Sequence, residues 1–386
     1  MKYKKLKNTL ISLGVIITSP FISSVIMKIV PNISVTANRL ANTTIGETSG
    51  NVALNDENTL QEPTIVQETT PNWSDNILSN GLGWDYSLDD TSDSFDFFDE
   101  KFNLTAGEEP YPDVDTLTNH SGNVIQTILN NYSGTQYVTL SSGALVKNVT
   151  SVSNNTLLNE SKNLPEFTID LNSDEPQVLI MHTHTTESFE PFERTYYDSS
   201  FSYRTTDNSK NVVMVGDMIA QELENAGIKT IHNSTVHDYP SYTGSYERSA
   251  VTVQSILDEY PSIKVVLDIH RDALSRDGDL LQPVVEIDGK KSAQIMIISG
   301  CDDGTMNMPN YMQNFRLASL LQNQIYSDYG DFARPILFDY RKYNQDLTTG
   351  SLLIEVGTHG STLEQVRYAG QLLGKSIAKA LVSIST

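Results

Sequence analysis

The most chemically informative segment of this sequence is an apolar, strand-like run, Val178–Met181, that leads directly into His182, His184 and Glu187. Imidazole and carboxylate side chains are the usual ligands of zinc in hydrolases. The spacing of His184 and Glu187 lets both side chains reach one ion if the backbone turns just after the strand. The segment therefore favours metal-assisted hydrolysis, although a His-x-His sequence at a strand end is also compatible with solvent-facing or mutually hydrogen-bonded histidines.

Two later apolar runs end in the same kinds of side chain. Lys264–His270 ends in a histidine, and Ser351–Thr358 carries Glu355 near its end. In open α/β sheets, ligands bind in the crevice at the carboxyl ends of parallel strands, where residues far apart in the sequence meet. We therefore expect His270 and Glu355 to lie beside the first segment.

The elements that must position these side chains alternate between strands and helices from Pro176 onward. This alternation predicts an α/β fold, with a mostly parallel twisted sheet and helices on both faces. A hairpin with the turn Asp288–Gly289 is predicted to join Val284–Ile287 to Ala293–Ile298. The predicted helices are Lys210–Asn225, Ser245–Tyr260, Tyr311–Tyr326 and Leu363–Leu381.

The sequence divides into four regions by composition. Residues 1–30 comprise a basic end and an uncharged apolar run, and residues 31–110 have the composition of a disordered acidic linker. Residues 111–175 are a lead-in β/α region and residues 176–386 the catalytic domain. Within the lead-in region, Asn123–Leu129 is predicted as a short helix. Two strand-like runs, Tyr137–Leu140 and Ala144–Val149, form either a small subdomain or edge strands of the main domain.

The apolar run Leu10–Met27 follows four lysines, which predicts an uncleaved, single-pass membrane anchor rather than a removed signal peptide. The lysine-rich end then stays in the cytoplasm and the rest of the chain lies outside the membrane. The formal net charge of −22 argues against nucleic-acid binding. The single cysteine excludes an intramolecular disulfide, so the hydrophobic core or a metal must hold the exported domain together.

Together, four motifs of the region from Pro176 resemble the stage II sporulation protein P family of cell-wall hydrolases. They are His182–Ser188, Asp268–Ala273, Tyr343–Asp346 and Leu353–Gly357, in this order. The basic N-terminus, membrane segment and long tether also fit that family, but residues 31–110 carry no matching motif.

The resemblance implies a zinc N-acetylmuramoyl-L-alanine amidase that removes stem peptides from glycan strands. It further implies endopeptidase activity on peptide crosslinks of peptidoglycan, during engulfment of the forespore by the sporulating cell. The partners implied by the family are stage II sporulation proteins D and M.

The mechanistic hypothesis assigns His184, Glu187 and His270 as ligands of one zinc ion per catalytic domain, with the fourth position left to water. Glu355 then takes a proton from that water and passes it to the departing amine. His182 is the alternate ligand, because on an extended strand it lies on the same side as His184. Asp268, two residues before His270, suits a hydrogen-bond acceptor behind that histidine, although a helix-capping or solvent-facing role explains it equally well.

Four further residues are candidates for substrate binding. Arg271 suits a stem-peptide carboxylate, although a structural salt bridge explains it as well. Tyr343, Asn344 and Gln345 lie in a polar loop before the Glu355 strand and could bind substrate amides, although an ordinary turn has the same composition.

Two other functions are compatible with these motifs. His-x-His on a first strand also begins the amidohydrolase barrels, but the countable strands are too few for eight βα units. A metal-free scaffold that binds wall glycan or partner proteins through the same cleft is the second alternative.

Overall fold

The structure, a computed structural model, describes residues 116–386. Its strands are β1 Gly122–Thr127, β2 Tyr137–Thr139, β3 Leu145–Asn148, β4 Val178–Met181, β5 Tyr196–Tyr197, β6 Thr230–His232, β7 Val265–Asp272, β8 Ser275–Arg276, β9 Asp279–Ile287, β10 Lys290–Ala293, β11 Ile295–Gly300, β12 Ile336–Asp339 and β13 Ser351–Thr358. Its α-helices are α1 Asn154–Glu160, α2 Val212–Asn225, α3 Ser245–Glu259, α4 Tyr311–Tyr329 and α5 Leu363–Val382, and a short 3-10 helix covers Gly330–Phe332.

The described strands form two open sheets. The larger sheet has eight strands in the order β2-β3-β12-β11-β13-β7-β4-β6. The smaller sheet has the order β10-β9-β1-β5, with β8 paired to β9. Neither sheet closes into the eight-unit barrel of the amidohydrolases.

The prediction of a mostly parallel sheet is wrong, because the fold is a mixed α/β arrangement. β11 pairs antiparallel with β13, and β2 pairs antiparallel with β3. The connections explain why β11 runs opposite to β13. Parallel neighbours need a long crossover, usually a helix. The chain instead reaches β11 through strands of the smaller sheet, and it passes from β12 to β13 through a loop.

Helices cover both faces of the larger sheet, as the alternation predicts. Val178 and Ile180 of β4 lie in the main core cluster with α2, α4 and α5 residues, whereas Leu179 and Met181 pack with Val253 of α3 on the opposite face. This division follows from the two-residue period of a strand. The same alternation runs through β13, where Leu352, Ile354 and Val356 belong to the main core.

Two of the long helices, α2 and α5, begin where the sequence supplies capping side chains. Asn211 accepts a hydrogen bond from the Val213 backbone N–H at 2.9 Å and starts α2. Thr362 and Gln365 form a reciprocal capping box at the start of α5. Both helices thus start at fixed positions against the core face of the sheet.

The described part of the lead-in region belongs to the same two sheets. Asn123–Leu129, predicted as a helix, is wrong: Gly122–Thr127 forms β1, which pairs with β9 and β5. Its β-branched Val-Ile-Gln-Thr sequence suits a strand, and the pairing decides the outcome. β2 and β3 occupy the edge of the larger sheet, which matches the edge-strand alternative.

The predicted turn Asp288–Gly289 is present, with φ of 50° and 72° at its two residues. It joins β9 to β10, not to the longer run Ala293–Ile298. That run divides, because Ala293 ends β10 while Ile295–Gly300 forms β11 in the larger sheet.

None of the helices in residues 116–386 has both the length and the apolar character needed to cross a bilayer. The predicted anchor and linker lie outside the described residues.

Candidate active site

The ends of three neighbouring parallel strands form the floor of the candidate site. β13, β7 and β4 lie side by side, so their carboxyl ends share one edge. Glu355 of β13 is the register partner of His270 of β7. Directly paired residues project from the same face of a sheet, so these two side chains are neighbours although they are far apart in the sequence.

A bulge after Glu355 ends the regular pairing of β13. The register with β7 shifts between Glu355 and Thr358, and Gly357 in the bulge has φ of 68°. A Cβ on Gly357 would lie 2.8 Å from the Ser361 Oγ, so only glycine fits there. The bulge fixes the position of Glu355 near the carboxyl end of β13.

These side chains open into a pocket of about 460 Å³, a volume that includes the space open to solvent. All four residues assigned to metal binding and proton transfer line it. The complete lining is His184, Glu187, Tyr242, Tyr246, His270, Arg271, Asp272, Ala273, Tyr343, Leu353 and Glu355.

His270 lies between two carboxylates. Its Nε2 is 2.9 Å from Asp268 Oδ1, and its Nδ1 is 3.5 Å from Glu187 Oε2. Burial would lower the pKa of His270, but Asp268 and Glu187 outweigh burial and raise this pKa to about 10. Burial would likewise raise the pKa of Asp268, which the adjacent His270 and the hydrogen bonds from Thr183 lower instead.

His184 stands in an aromatic and cationic environment. Its ring stacks on Tyr242 at 4.5 Å between centroids and meets the His270 ring edge-on at 5.2 Å. Its Nδ1 is buried and makes no hydrogen bond within residues 116–386. Burial, followed by the nearby His270 and Arg204, lowers the pKa of His184 well below its usual value, which keeps the imidazole neutral.

Glu355 is buried beside these groups. Its Oε2 makes no hydrogen bond to any described residue. Burial, together with the neighbouring carboxylate of Asp272, raises the pKa of Glu355 well above its usual value. A carboxyl group with a raised pKa can both accept and donate a proton near neutral pH, as general acid–base catalysis requires.

The two imidazoles and the carboxylate assigned as ligands are chemical groups that bind zinc. Two ligands 2.0 to 2.1 Å from a tetrahedral ion are about 3.4 Å apart, close to the 3.5 Å that separates His270 Nδ1 from Glu187 Oε2. Asp268 behind His270 gives the carboxylate–histidine arrangement that orients zinc ligands. Within residues 116–386, no group of three or more His, Cys, Asp or Glu side chains is already arranged to hold a metal ion. An ion bound by His184, Glu187 and His270 together would therefore require these side chains to shift toward one another.

The structure turns His182 away from the pocket, contrary to the assumption that it shares a side with His184. β4 ends at Met181, so the following residues form a turn instead of extended strand. The His182 Nδ1 lies 2.9 Å from the Ile269 carbonyl oxygen, and its Nε2 lies 2.9 Å from Nε2 of His232. Both ring nitrogens have protein partners, so His182 is not placed as an alternate ligand.

Two of the four predicted substrate-binding residues line the pocket and two do not. Arg271 and Tyr343 are at its wall. Asn344 donates to the Tyr246 carbonyl and the Ser249 hydroxyl, both at 2.9 Å, and so joins its loop to α3. Gln345 accepts from the Gly300 N–H at 2.9 Å and donates to the Ile298 carbonyl at 3.1 Å. Asn344 and Gln345 thus connect elements of the scaffold and do not line this pocket, and their role in substrate binding stays a prediction.

Sequence reasoning did not find the aromatic wall of the pocket. Tyr242 and Tyr246 both line it, and Tyr246 stacks on Tyr343 at 5.2 Å between centroids. Tyr246 lies in the first turn of α3, but Tyr242 lies in the turn before this helix, so no helical spacing in the sequence indicated the wall.

It also missed two buried ion pairs near the site. Asp238 binds Arg204 at 2.8 Å and accepts from the Thr186 hydroxyl at 2.7 Å, which fixes the turn that carries His184. Asp272 at the pocket wall binds Arg334 at 2.8 Å. No local sequence pattern marks either pair, because the partners come from separate elements.

The sequence of this chain is similar to that of a known protein family. The family model described as "Stage II sporulation protein P (SpoIIP)" matches residues 119–378. The stage II sporulation protein P of Bacillus subtilis (strain 168) is 30% identical over 224 residues, which cover 55% of this chain and 52% of that protein. The chain therefore spans about half the length of the curated relative it matches.

Solved structures give two further similarities. The N-acetylmuramoyl-L-alanine amidase AmiC2 of Nostoc punctiforme has 14% identity and a TM-score of 0.32, covering 55% of this chain and 98% of that one. The N-acetylmuramoyl-L-alanine amidase from Clostridium difficile 630 has 15% identity and a TM-score of 0.32, covering 55% of this chain and 97% of that one.

Proposed function

This chain belongs to the stage II sporulation protein P family, and we propose that it is a zinc-dependent peptidoglycan hydrolase. The proposed reaction is cleavage of the amide between N-acetylmuramic acid and the first alanine of the stem peptide, with endopeptidase action on peptide crosslinks. The observation that carries the proposal is the gathering of His184, Glu187, His270 and Glu355 in one pocket.

The proposed ligands are His184, Glu187 and His270. A zinc ion held by them would supply a water molecule whose pKa is lowered to roughly 7. Asp268 holds the Nε2 side of the His270 ring, so the Nδ1 side faces Glu187 and the pocket. In this orientation Nδ1 of His270 would be one zinc ligand, and Glu187 and His184 would provide the other two protein ligands.

Glu355 is the proposed proton-transfer residue. Its carboxyl group takes a proton from the attacking water and returns it to the departing amine. The second transfer is needed because an amine leaves an amide poorly unless it is protonated. The buried position of Glu355 and its raised pKa support this exchange of roles.

The cellular setting is also a proposal. The chain would be held in the cell membrane by the apolar run Leu10–Met27, with the catalytic domain outside the cytoplasm of the sporulating cell. It would act during engulfment of the forespore together with stage II sporulation proteins D and M. These assignments rest on family membership and on the composition of the N-terminal sequence.

The test is digestion of purified peptidoglycan by the full chain and by Glu355→Gln, with mass identification of products and zinc measured in each protein. Glu355→Gln should retain zinc and lose about 100- to 10,000-fold of the peptide-release rate, the range of general acid–base catalysis. Glu364→Gln, an exposed carboxylate on α5, is the matched control and should remain active. Absence of both zinc and released peptide from the unchanged protein would favour the scaffold alternative.

A further inference from the structure

A series of buried polar contacts connects the proposed zinc ligand His270 to the loop that precedes β13. Oδ1 of Asp268 lies 2.9 Å from Nε2 of His270, and Oδ2 of Asp268 accepts a hydrogen bond from the Thr183 hydroxyl at 2.7 Å. The Thr183 hydroxyl lies 2.8 Å from the hydroxyl of Ser249 in α3. The amide nitrogen of Asn344 donates to the Ser249 oxygen at 2.9 Å. These contacts join β7 to the loop through α3.

Every donor in this series points toward Asp268. An ionised carboxylate only accepts hydrogen bonds, so the Thr183 hydroxyl uses its single proton on Asp268. Thr183 must therefore accept from Ser249. The Ser249 oxygen also lies 3.1 Å from the Tyr246 carbonyl oxygen, but that carbonyl already accepts from Asn344 at 2.9 Å. The order of donors is thus fixed, from Asn344 through both hydroxyl groups to the carboxylate.

The middle of the series lies in the protein interior. Thr183 and Ser249 are fully buried, and Asp268 is 4% exposed. Hydrogen bonds in a chain polarise one another, and they are stronger in the low dielectric of the interior than in water. Buried groups also cannot replace a lost partner with bulk water. A change at the Asn344 end should therefore alter how the carboxylate of Asp268 is held.

The loop at the other end has a backbone conformation that needs support. Tyr343 has φ of 44° and Asn344 has φ of 55°, in the left-handed region that residues other than glycine rarely occupy. Such residues persist where surrounding contacts hold them. The Asn344 side chain makes these contacts with the start of α3. Tyr343 lines the catalytic pocket, so the same contacts place part of its wall.

We propose that Ser249 and Asn344 are positioning residues for His270. They act through Thr183, whose hydroxyl holds the Asp268 carboxylate where it fixes the His270 ring. The inference rests on the proposed function, because it assumes that His270 binds zinc. It adds to the groups that set zinc affinity two residues that do not line the catalytic pocket. It also ties the placement of the substrate-facing loop to the placement of a metal ligand.

The test measures zinc affinity in full-length Ser249→Ala and Asn344→Gly by competition with a chromophoric chelator. Glycine adopts positive φ without strain, so Asn344→Gly removes the side chain and leaves the loop conformation accessible. Each variant should bind zinc about 10-fold more weakly. This is the lower end of the 10- to 100-fold range for groups behind a zinc ligand, because both residues act through Asp268.

The double variant Ser249→Ala/Asn344→Gly distinguishes a connected series from two separate effects. Once the Ser249 hydroxyl is gone, Asn344 no longer has a path to Asp268. The double variant should therefore bind zinc about as weakly as Ser249→Ala alone. Independent sites would instead add in free energy and weaken binding about 100-fold, and that result would overturn the proposed series.

The matched control is Ser376→Ala. Ser376 is also a fully buried serine on a long helix, and its hydroxyl donates to the Asp328 carboxylate at 2.7 Å where α5 contacts α4. Its replacement should lower stability but leave zinc affinity unchanged, which separates positioning from a general loss of stability. Thermal unfolding shows which variants are folded during the titration. Because Asn344 is only partly buried, Asn344→Gly keeps the test decisive if Ser249→Ala does not fold.

Unchanged zinc affinity in Asn344→Gly, or in folded Ser249→Ala, would overturn the inference. The proposed function would survive that result if the unchanged protein binds zinc and releases stem peptides from peptidoglycan. An unchanged protein that binds no zinc would overturn both.

Discussion

At the residue scale, the site depends on opposite environments for chemically similar groups. Two histidines lie within one pocket, yet carboxylates raise the pKa of His270 to about 10, whereas burial and adjacent cations lower that of His184. Asp268 contributes to the difference, because its carboxylate lies 2.9 Å from the Nε2 of His270. Thr183 holds that carboxylate in place through its N–H and its hydroxyl, at 2.8 and 2.7 Å.

Replacement of Asp268 by asparagine should weaken metal binding without removing a ligand. The amide keeps the shape of the side chain but loses the charge that orients and polarises His270. Zinc affinity should fall about 10- to 100-fold, the usual effect of removing a carboxylate behind a histidine ligand. Competition with a chromophoric chelator measures it. Unchanged affinity in Asp268→Asn would argue against His270 as a ligand.

His182 and His184 should respond differently to alanine. His184→Ala should lose zinc, whereas His182→Ala should keep it and lose stability. In His182→Ala the Ile269 carbonyl oxygen and His232 lose their partner, a cost of about 1 to 3 kcal/mol in the free energy of unfolding. Metal analysis and urea unfolding of both variants give the answer, and zinc loss from His182→Ala alone would reverse the ligand assignment.

At the element scale, the early end of β4 decides which histidine reaches the pocket. Had the strand continued, His182 and His184 would share one face. The chain instead turns after Met181, and His182 packs toward α2. α2 accommodates it with Gly216, where a Cβ would lie 2.8 Å from the His182 Nε2. The missing side chain at Gly216 of α2 therefore leaves the space that the His182 ring occupies after the turn.

Gly216→Ala should be destabilising, although alanine is the better helix former. The intrinsic gain is about 1 kcal/mol, but the added methyl group would overlap the buried His182 ring and the partly buried His232 ring, and overpacking typically costs about 1 to 3 kcal/mol. We expect a net decrease in the free energy of unfolding, measured by urea denaturation. Gln221→Ala on the exposed side of α2 is the control and should not destabilise. An increase in stability for Gly216→Ala would mean that the rings move aside easily.

At the scale of the whole molecule, the described part of the lead-in region shares the core of the domain. Val138, Val146 and Leu157 are buried in the same cluster as residues of β13 and α5. Ile169, which also precedes Pro176, forms an isolated β-bridge with Ser385 near the C-terminal end. The sheet that carries the site is thus completed by residues that precede Pro176.

A chain that begins at residue 176 should therefore fail to fold cooperatively, whereas one that begins at residue 116 should fold. Burial of each large aliphatic side chain contributes about 1.5 to 3 kcal/mol, so losing several of them approaches the total stability of a domain, about 5 to 15 kcal/mol. Circular dichroism during urea unfolding compares the two fragments. A sharp transition for residues 176–386 would show that β1 to β3 are dispensable.

Much of the site and of its supporting elements could be predicted from the sequence. Apolar runs that end in His184, His270 and Glu355 predicted strands, and the structure places those strands side by side. The four long helices begin within two residues of their predicted starts, because capping residues and apolar periodicity are local signals. The hairpin turn was local too, since Asp288 and Gly289 both accept positive φ.

Only the tertiary structure decided strand direction, pairing and the orientation of individual side chains. The direction of β11 and the strand conformation of Gly122–Thr127 both depend on partners distant in sequence. The same holds for His182 and Gln345, whose polar side chains looked available for chemistry but hydrogen-bond to backbone or side-chain groups of other elements. A sequence records which groups are present and the local periodicity that shapes each element. Buried polar groups must find partners, and those partners are assigned only when the elements pack.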